Sequence, residues 1–181
     1  MKSLTIAEFG DSILRKHARQ LKPGEIESAA IQTLIKNMRH TLLSKKLGVA
    51  LAAPQVGQSI ALFVIAVRPT EHRPHVQEFD AVMINPQITQ RIGPAKDMWE
   101  GCISSGSGQS GLFAKVARHD KVRVTYLDQK AQPQTKQFDG LVAQIIQHET
   151  DHLQGTLFVD HVTDPKTYMT LQEYKKHITA P

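Results

Sequence analysis

Residues 139–155 read Asp139-Gly140-Leu141-Val142-Ala143-Gln144-Ile145-Ile146-Gln147-His148-Glu149-Thr150-Asp151-His152-Leu153-Gln154-Gly155. Asp139 suits a helix N-cap, because its short carboxylate can accept an orphan amide. Gly155 suits the stop, because glycine turns left-handed without strain. Leu141, Val142, Ile145, Ile146 and Leu153 supply a wide apolar stripe, so the helix is expected to lie against a core. His148 and His152 stand four apart, about one turn, on one face of it. Polar groups continuing an apolar face are costly unless something satisfies them. A divalent ion held by two neutral imidazoles does so, and it acidifies its water toward pH ~7. Glu149, beside the first histidine, can take the proton without being a ligand. The competing reading is a surface helix carrying two of the chain's nine histidines, and the apolar neighbours weigh against it.

Two histidines do not close a catalytic metal site, for which a third protein ligand is usual. Cys102, in Glu100-Gly101-Cys102-Ile103-Ser104, is the candidate, since a metal can hold its sulfur as thiolate. A single cysteine also excludes an intramolecular disulfide, and with it a disulfide-built secreted fold. The 181 residues are expected to form one domain, 1–181. Hydrophobic residues at 40% and charged residues at 22% are ordinary globular composition, not disorder. The formal charge of +5 is spread along the chain without a nucleic-acid motif, which favours a solvated basic surface. Met1 to Gly10 lacks the apolar stretch of a signal peptide, and no apolar run is long enough to span a bilayer. A soluble cytoplasmic protein is therefore the expectation.

Further out, Ile26, Ala30, Ile31, Leu34, Ile35, Met38 and Leu42 recur at helical spacing and predict a helix from Glu25 to Ser44. Strands are expected at Ser59 to Val67, Ala81 to Ile92, Lys121 to Leu127 and Pro133 to Phe138. Pro69, Pro74, Gly93 and Pro94 read as loop punctuation. The tail after Asp164 predicts a short, loosely held helix. Hairpin-like strands that do not alternate with helices point to an α+β fold.

Three ordered motifs make the chain resemble the peptide deformylases, metal hydrolases that remove the formyl group from N-formylmethionine on new polypeptides. They are Gly48-Val49-Ala50-Leu51-Ala52-Ala53-Pro54-Gln55, then Glu100-Gly101-Cys102-Ile103-Ser104, then Gln147-His148-Glu149-Thr150-Asp151-His152. Gly10-Asp11-Ser12-Ile13-Leu14-Arg15 is similar to an early segment of the same family, so the likeness spans nearly the whole chain. The resemblance implies mainly antiparallel sheets around a central metal-binding helix. It implies Cys102, His148 and His152 as metal ligands and Glu149 as general base and then acid. It implies Gln55, through its side-chain amide, and Ile103, through its backbone N–H, as oxyanion donors. It also implies an extended peptide along Gly48, Val49 and Ala50, and a methionine pocket drawn from Val49, Met98, Leu141 and Ile145. One divalent ion per chain is expected, iron(II) in the cell, with zinc, nickel or cobalt able to replace it. Nascent formylated peptides are the implied partners, with the ribosome as a further one.

The chain departs from the family pattern in two places. Ala50 replaces a glycine, which narrows backbone freedom unless the segment is an ordinary strand. Ser104-Ser105-Gly106-Ser107-Gly108-Gln109-Ser110-Gly111 replaces a proline-containing turn and places Arg118 several residues late. This Ser/Gly-rich loop, 104–111, is expected to be flexible and to reshape the peptide entrance. A zinc protease would instead take a third ligand downstream, from Asp160 or His161, leaving Cys102 and Gln55 without a role. A non-catalytic metal-binding protein would have no use for Glu149.

Overall fold

Leu62–Val67 is an unbroken apolar run, LFVIAV, and all six of its residues are buried. A strand this apolar needs cover on both faces, and the computed structural model supplies it. The structure describes residues 1–45, 48–70, 74–106 and 110–179. Its elements in chain order are α1 (Pro23–Ile26), α2 (Ala29–Leu43), β1 (Ala50–Ala52), β2 (Leu62–Val67), β3 (Phe79–Gly101), β4 (Leu112–Leu127), β5 (Pro133–Asp139), α3 (Gly140–Leu153), β6 (Met169–Thr170) and α4 (Leu171–Thr179). The strands form one sheet in the order β1-β2-β3-β4-β5, with β6 added to β4, and each of these pairings is antiparallel. The α+β architecture with an antiparallel sheet is thus present.

Alternation along β2 divides the core. Leu62, Val64 and Ala66 pack with Ile35, Met38 and Leu42 of α2. Phe63, Ile65 and Val67 pack with Ala143, Ile145, Ile146 and Leu153 of α3. Period 2 in the strand thereby puts one helix on each face. α3 is the helix expected from residues 139–155, held in the middle of the fold by its apolar stripe.

Several boundaries differ from expectation. The helix predicted from Glu25 breaks at Glu27, because Ser28 is extended and its hydroxyl accepts from the Ile31 amide as N-cap. Asp139 occupies the N-cap position of α3 but makes no side-chain cap bond. It is the last residue of β5, paired with Lys121, and Gly140 at φ +52 makes the corner. Gly93 and Pro94 do not end a strand. They lie within β3 at a register shift between Ile92 and Ala95, a bulge at which glycine takes φ +78. β3 and β4 consequently run much further than predicted and carry Glu100 and Arg118 to the site. The tail helix α4 exists but is not loosely held: β6 pairs with Leu112 and Phe113, and Tyr174 stacks on Phe113 with ring centroids 4.1 Å apart.

Candidate metal centre and active site

The cysteine and histidine side chains come from separate parts of the chain and meet. Cys102 follows the last residue of β3 and caps a single 3-10 turn, Ile103–Ser105, with its Sγ accepting from the Ser104 amide at 3.4 Å. His148 and His152 project from α3, and one ligand atom from each of the three residues lies within 4.8 Å of the others. Cys102 Sγ is 3.3 Å from His152 Nε2. One sulfur and two imidazoles in a largely buried cluster are a donor set that fits a borderline-soft divalent ion.

Each histidine is set up differently. His148 Nδ1 faces the Glu100 carboxylate at 2.9 Å, which fixes the ring and leaves Nε2 as the nitrogen able to ligate. Burial works to push His148 down, but hydrogen bonds to Cys102 and Glu100 outweigh it and raise it well above its ordinary value. A cation in the cluster would compete with that proton for Nε2. Burial, joined by the charge of His148, holds His152 well below its ordinary value, so its imidazole is neutral and able to ligate. Its Nδ1 is buried without a hydrogen-bond partner.

Glu149 is 4% exposed, and one of its oxygens is buried with no partner. Burial pushes its carboxyl up to about 7, against the pull of His148. Such a group exchanges a proton readily at neutral pH, which is what a general base requires. An ordinary buried structural carboxylate would be paired, as Glu100 is.

Gln55 approaches from the opposite side. Its Oε1 accepts from the Ala52 amide at 2.8 Å, so its NH2 is turned toward Cys102 Sγ at 3.4 Å and Ser104 Oγ at 3.2 Å. Two backbone bonds from the N-terminal segment hold both turns. Ala7 N–H donates to the Gln55 carbonyl and Phe9 N–H to the Ser104 carbonyl, each at 2.8 Å. Phe9 packs on Phe158, which in turn stacks on His148.

Gly48, Val49 and Ala50 lead into β1, an edge strand of the sheet. A Cβ on Gly48 would stand 2.9 Å from Leu42 Cδ1 and 3.8 Å from Ile103 Cγ2, so this glycine allows the close approach beside the cysteine turn. Ala50 is in a strand, paired with Ile65, where alanine is unstrained. Val49, Leu141 and Ile145 share one apolar cluster. Met98 is half-buried opposite Val116 on β4 and, among the described residues, is not a member of that cluster.

Sequence reasoning missed the charges beneath the site. Arg118 is 5% exposed and grips Glu100 through two nitrogens, at 2.7 and 3.0 Å, and Asp151 at 2.7 Å. Burial works to raise Glu100, but the hydrogen bonds and charges of His148 and Arg118 outweigh it and hold it down to about 2. The signal was present in β4, where Ala114, Val116 and Arg118 alternate inward: an arginine on a small apolar face needs a buried partner. Asp160 and His161, the protease reading's ligands, are engaged elsewhere. Asp160 pairs with Arg15 and accepts from the Leu157 amide, while His161 Nε2 sits 3.0 Å from Asp151. Neither is in the metal cluster, so that reading loses its third ligand. Residues 107–109 of the Ser/Gly-rich loop lie outside the described residues, and with them the expected effect on the entrance.

Residues 3–168 match the model of the polypeptide deformylase family. The chain belongs to that family. It is 40% identical over 181 residues to peptide deformylase 2 of Xanthomonas campestris, covering 98% of this chain and 99% of that one. It is 37% identical over 177 residues to peptide deformylase 2 of a Nostoc species, covering 97% and 95%. Among solved structures, the class I type b peptide deformylase of Acinetobacter baumannii bound to Met-Ala-Ser superposes with a TM-score of 0.82 at 33% identity, over 89% of this chain and 99% of that one. Membership of this metal-dependent family is consistent with the Cys102, His148 and His152 cluster, which could hold a metal ion.

Proposed function

We infer that the chain is a peptide deformylase, hydrolysing the N-formyl group of N-formylmethionine at the start of new polypeptides and releasing formate. Family membership over nearly the whole chain supports this. The observation that carries the chemistry is the Cys102, His148 and His152 cluster beside an unpaired, buried Glu149. When bound there, a divalent ion polarises the formyl carbonyl and activates water. Iron(II) is our reading of the cellular ion, with zinc, nickel or cobalt fitting the same donors.

In this reading Cys102 Sγ, His148 Nε2 and His152 Nε2 hold the ion. Glu149 takes a proton from the attacking water and gives it to the departing amine, a role its position near pH 7 suits. The Gln55 side-chain NH2 and the Ile103 backbone N–H donate to the oxygen on which negative charge grows. Loss of one such donor typically costs about 2.7–4 kcal/mol of transition-state stabilisation. Glu100, braced by Arg118, orients His148.

The substrate would add to the sheet. β1 is an edge strand, so a peptide extended along Gly48, Val49 and Ala50 can take its free backbone groups, the β-augmentation mode. The apolar cluster of Val49, Leu141 and Ile145 offers a place for the methionine side chain, and Met98, outside that cluster, rests on the family resemblance alone. That the Acinetobacter protein binds Met-Ala-Ser supports a peptide as the substrate class. We read residues 1–181 as one such domain, acting on nascent chains in the cytoplasm. Contact with the ribosome is supported by the +5 charge alone. No helix among the described residues is long and apolar enough to cross a membrane.

The test is formate release from formyl-Met-Ala-Ser by protein loaded anaerobically with iron, nickel or zinc. Turnover with iron or nickel, and no cleavage of an internal peptide bond, is the expected result. Internal cleavage without formate release would overturn the reading.

A further inference from the structure

We propose that Ser105 is a positioning residue for the Ile103 N–H, the donor assigned to the reacting oxygen; this rests on the oxyanion role given to Ile103 above. The Cys102 carbonyl and the Ile103 N–H belong to one peptide group, and that group is planar. Whatever fixes the carbonyl therefore fixes the direction of the N–H. Ser105 Oγ lies 2.7 Å from the Cys102 carbonyl oxygen. The serine rotor is not free to choose. The Leu112 amide, which can only donate, reaches Oγ at 2.9 Å. The one hydroxyl hydrogen must then go to a carbonyl, and Cys102 at 2.7 Å is far better placed than Leu112 at 3.5 Å.

Leu112 is itself anchored, since it opens β4 and pairs with Thr170 of β6. The neighbouring Gly111 carbonyl accepts from the Leu171 amide at 2.8 Å. Ser105 thus ties the peptide plane of the site to a three-strand ladder across the base of the loop. The hydroxyl also has an electronic consequence. A hydrogen bond accepted by a peptide carbonyl polarises the group and makes its N–H a stronger donor. The Cys102 carbonyl keeps a second bond, from the Ser105 backbone amide at 3.0 Å, so the turn survives loss of the hydroxyl. The effect expected of that loss is accordingly smaller than removal of an oxyanion donor outright.

Ser105→Ala and Ser105→Thr would be compared with the parent protein, each loaded with cobalt(II) or nickel(II). Ser105→Ala is expected to lower kcat about tenfold with KM changed less than about twofold, below the 10²–10³-fold loss seen when a whole donor is removed. The cobalt–thiolate absorption should persist, showing that Cys102 still ligates, while in the diamagnetic zinc(II)-loaded proteins the Ile103 amide proton resonance moves upfield. Ser105→Thr should restore both kcat and the resonance. Ser105→Cys, with a weak donor of similar size, provides an intermediate should the alanine variant fail to fold. Parent-like kcat and Ile103 resonance in Ser105→Ala would overturn the proposal, as would threonine that does not rescue. Absence of formate release by the parent protein would instead sink the deformylase reading itself, and the Ile103 resonance would still report on the hydrogen bond.

Discussion

Glu100 and Glu149 are both 4% exposed, and both feel His148, yet they are held at opposite acidities, about 2 and about 7. The difference is partnership: Glu100 is tied to Arg118 and His148, whereas Glu149 has an oxygen with no partner. Replacing Glu149 with Ala should leave the metal bound and lower turnover about 10²–10⁴-fold, the span of a lost general base. Metal content by atomic emission and formate release on the same sample check this. Glu100 lies below its ordinary 4.5 in the folded protein, so it stabilises the fold fully above that pH. The contribution is lost as pH falls from there toward about 2, because the unfolded chain takes up the proton first. The stability gap between the parent and Glu100→Gln, read from urea midpoints, should therefore be largest near neutral pH and shrink at pH ~3. A gap that stays constant with pH would contradict the buried pairing. His148, His152, Glu149 and Cys102 were legible from spacing and setting. Glu100's service to His148 was not, because its partners Arg118 and His148 are 18 and 48 residues away in sequence and only the register of β3 on β4 brings Arg118 under the site.

Gly101 is where β3 ends and the ligand turn begins, and the ring that crosses it, Phe113, is held from the far end of the chain. A Cβ there would lie 2.5 Å from Phe113 Cζ. A ring tip can often swing away, but Phe113 is pinned by Tyr174 of α4, stacked at 4.1 Å and 10°. Trp99, two residues before Gly101, packs on Tyr174 and His177 of the same helix. Gly101→Ala should therefore cost about 1–3 kcal/mol of stability, the usual range for overpacking. Phe113→Leu in the same chain should recover part of it, giving a coupling in a double-mutant cycle. Denaturant titration of the four proteins measures this, and strict additivity would show that the ring yields freely. Helices α2 and α3 and the run of β2 were readable because their periodicity is undisturbed. The second half of β3 was not, since Gly93 and Pro94 carry the chemistry of a loop and act here as a bulge. α4 was foreseen as a helix, but its aromatic grip was not, because Phe113, Trp99 and Tyr174 are unremarkable until the strands align them.

Across the whole molecule, the three proposed ligands tie together parts that the core alone holds separately. Cys102 comes from the end of the long β3–β4 arm, whereas His148 and His152 come from the helix packed on the sheet face that β2 shares. The unfolded chain has no preformed site, with Cys102 and His148 46 positions apart, so an ion at this cluster binds the folded state almost exclusively. Linkage then adds about 2.7–4.1 kcal/mol of stability when free metal stands at 100–1,000 times its Kd. For a domain of this size each kcal/mol moves the midpoint by about 2–4 °C. Chelation should lower Tm by roughly 5–15 °C, and adding back nickel or zinc should restore it. Cys102→Ser preserves the shape of the turn but removes the soft ligand, so its melting curve should respond weakly to chelator and metal alike. Glu149→Ala should respond as the parent does, because the base is not a ligand. If Cys102→Ser and the parent gained the same increment from metal, the ion would be stabilising the protein from some other place, and the cluster around Cys102 could not be its seat.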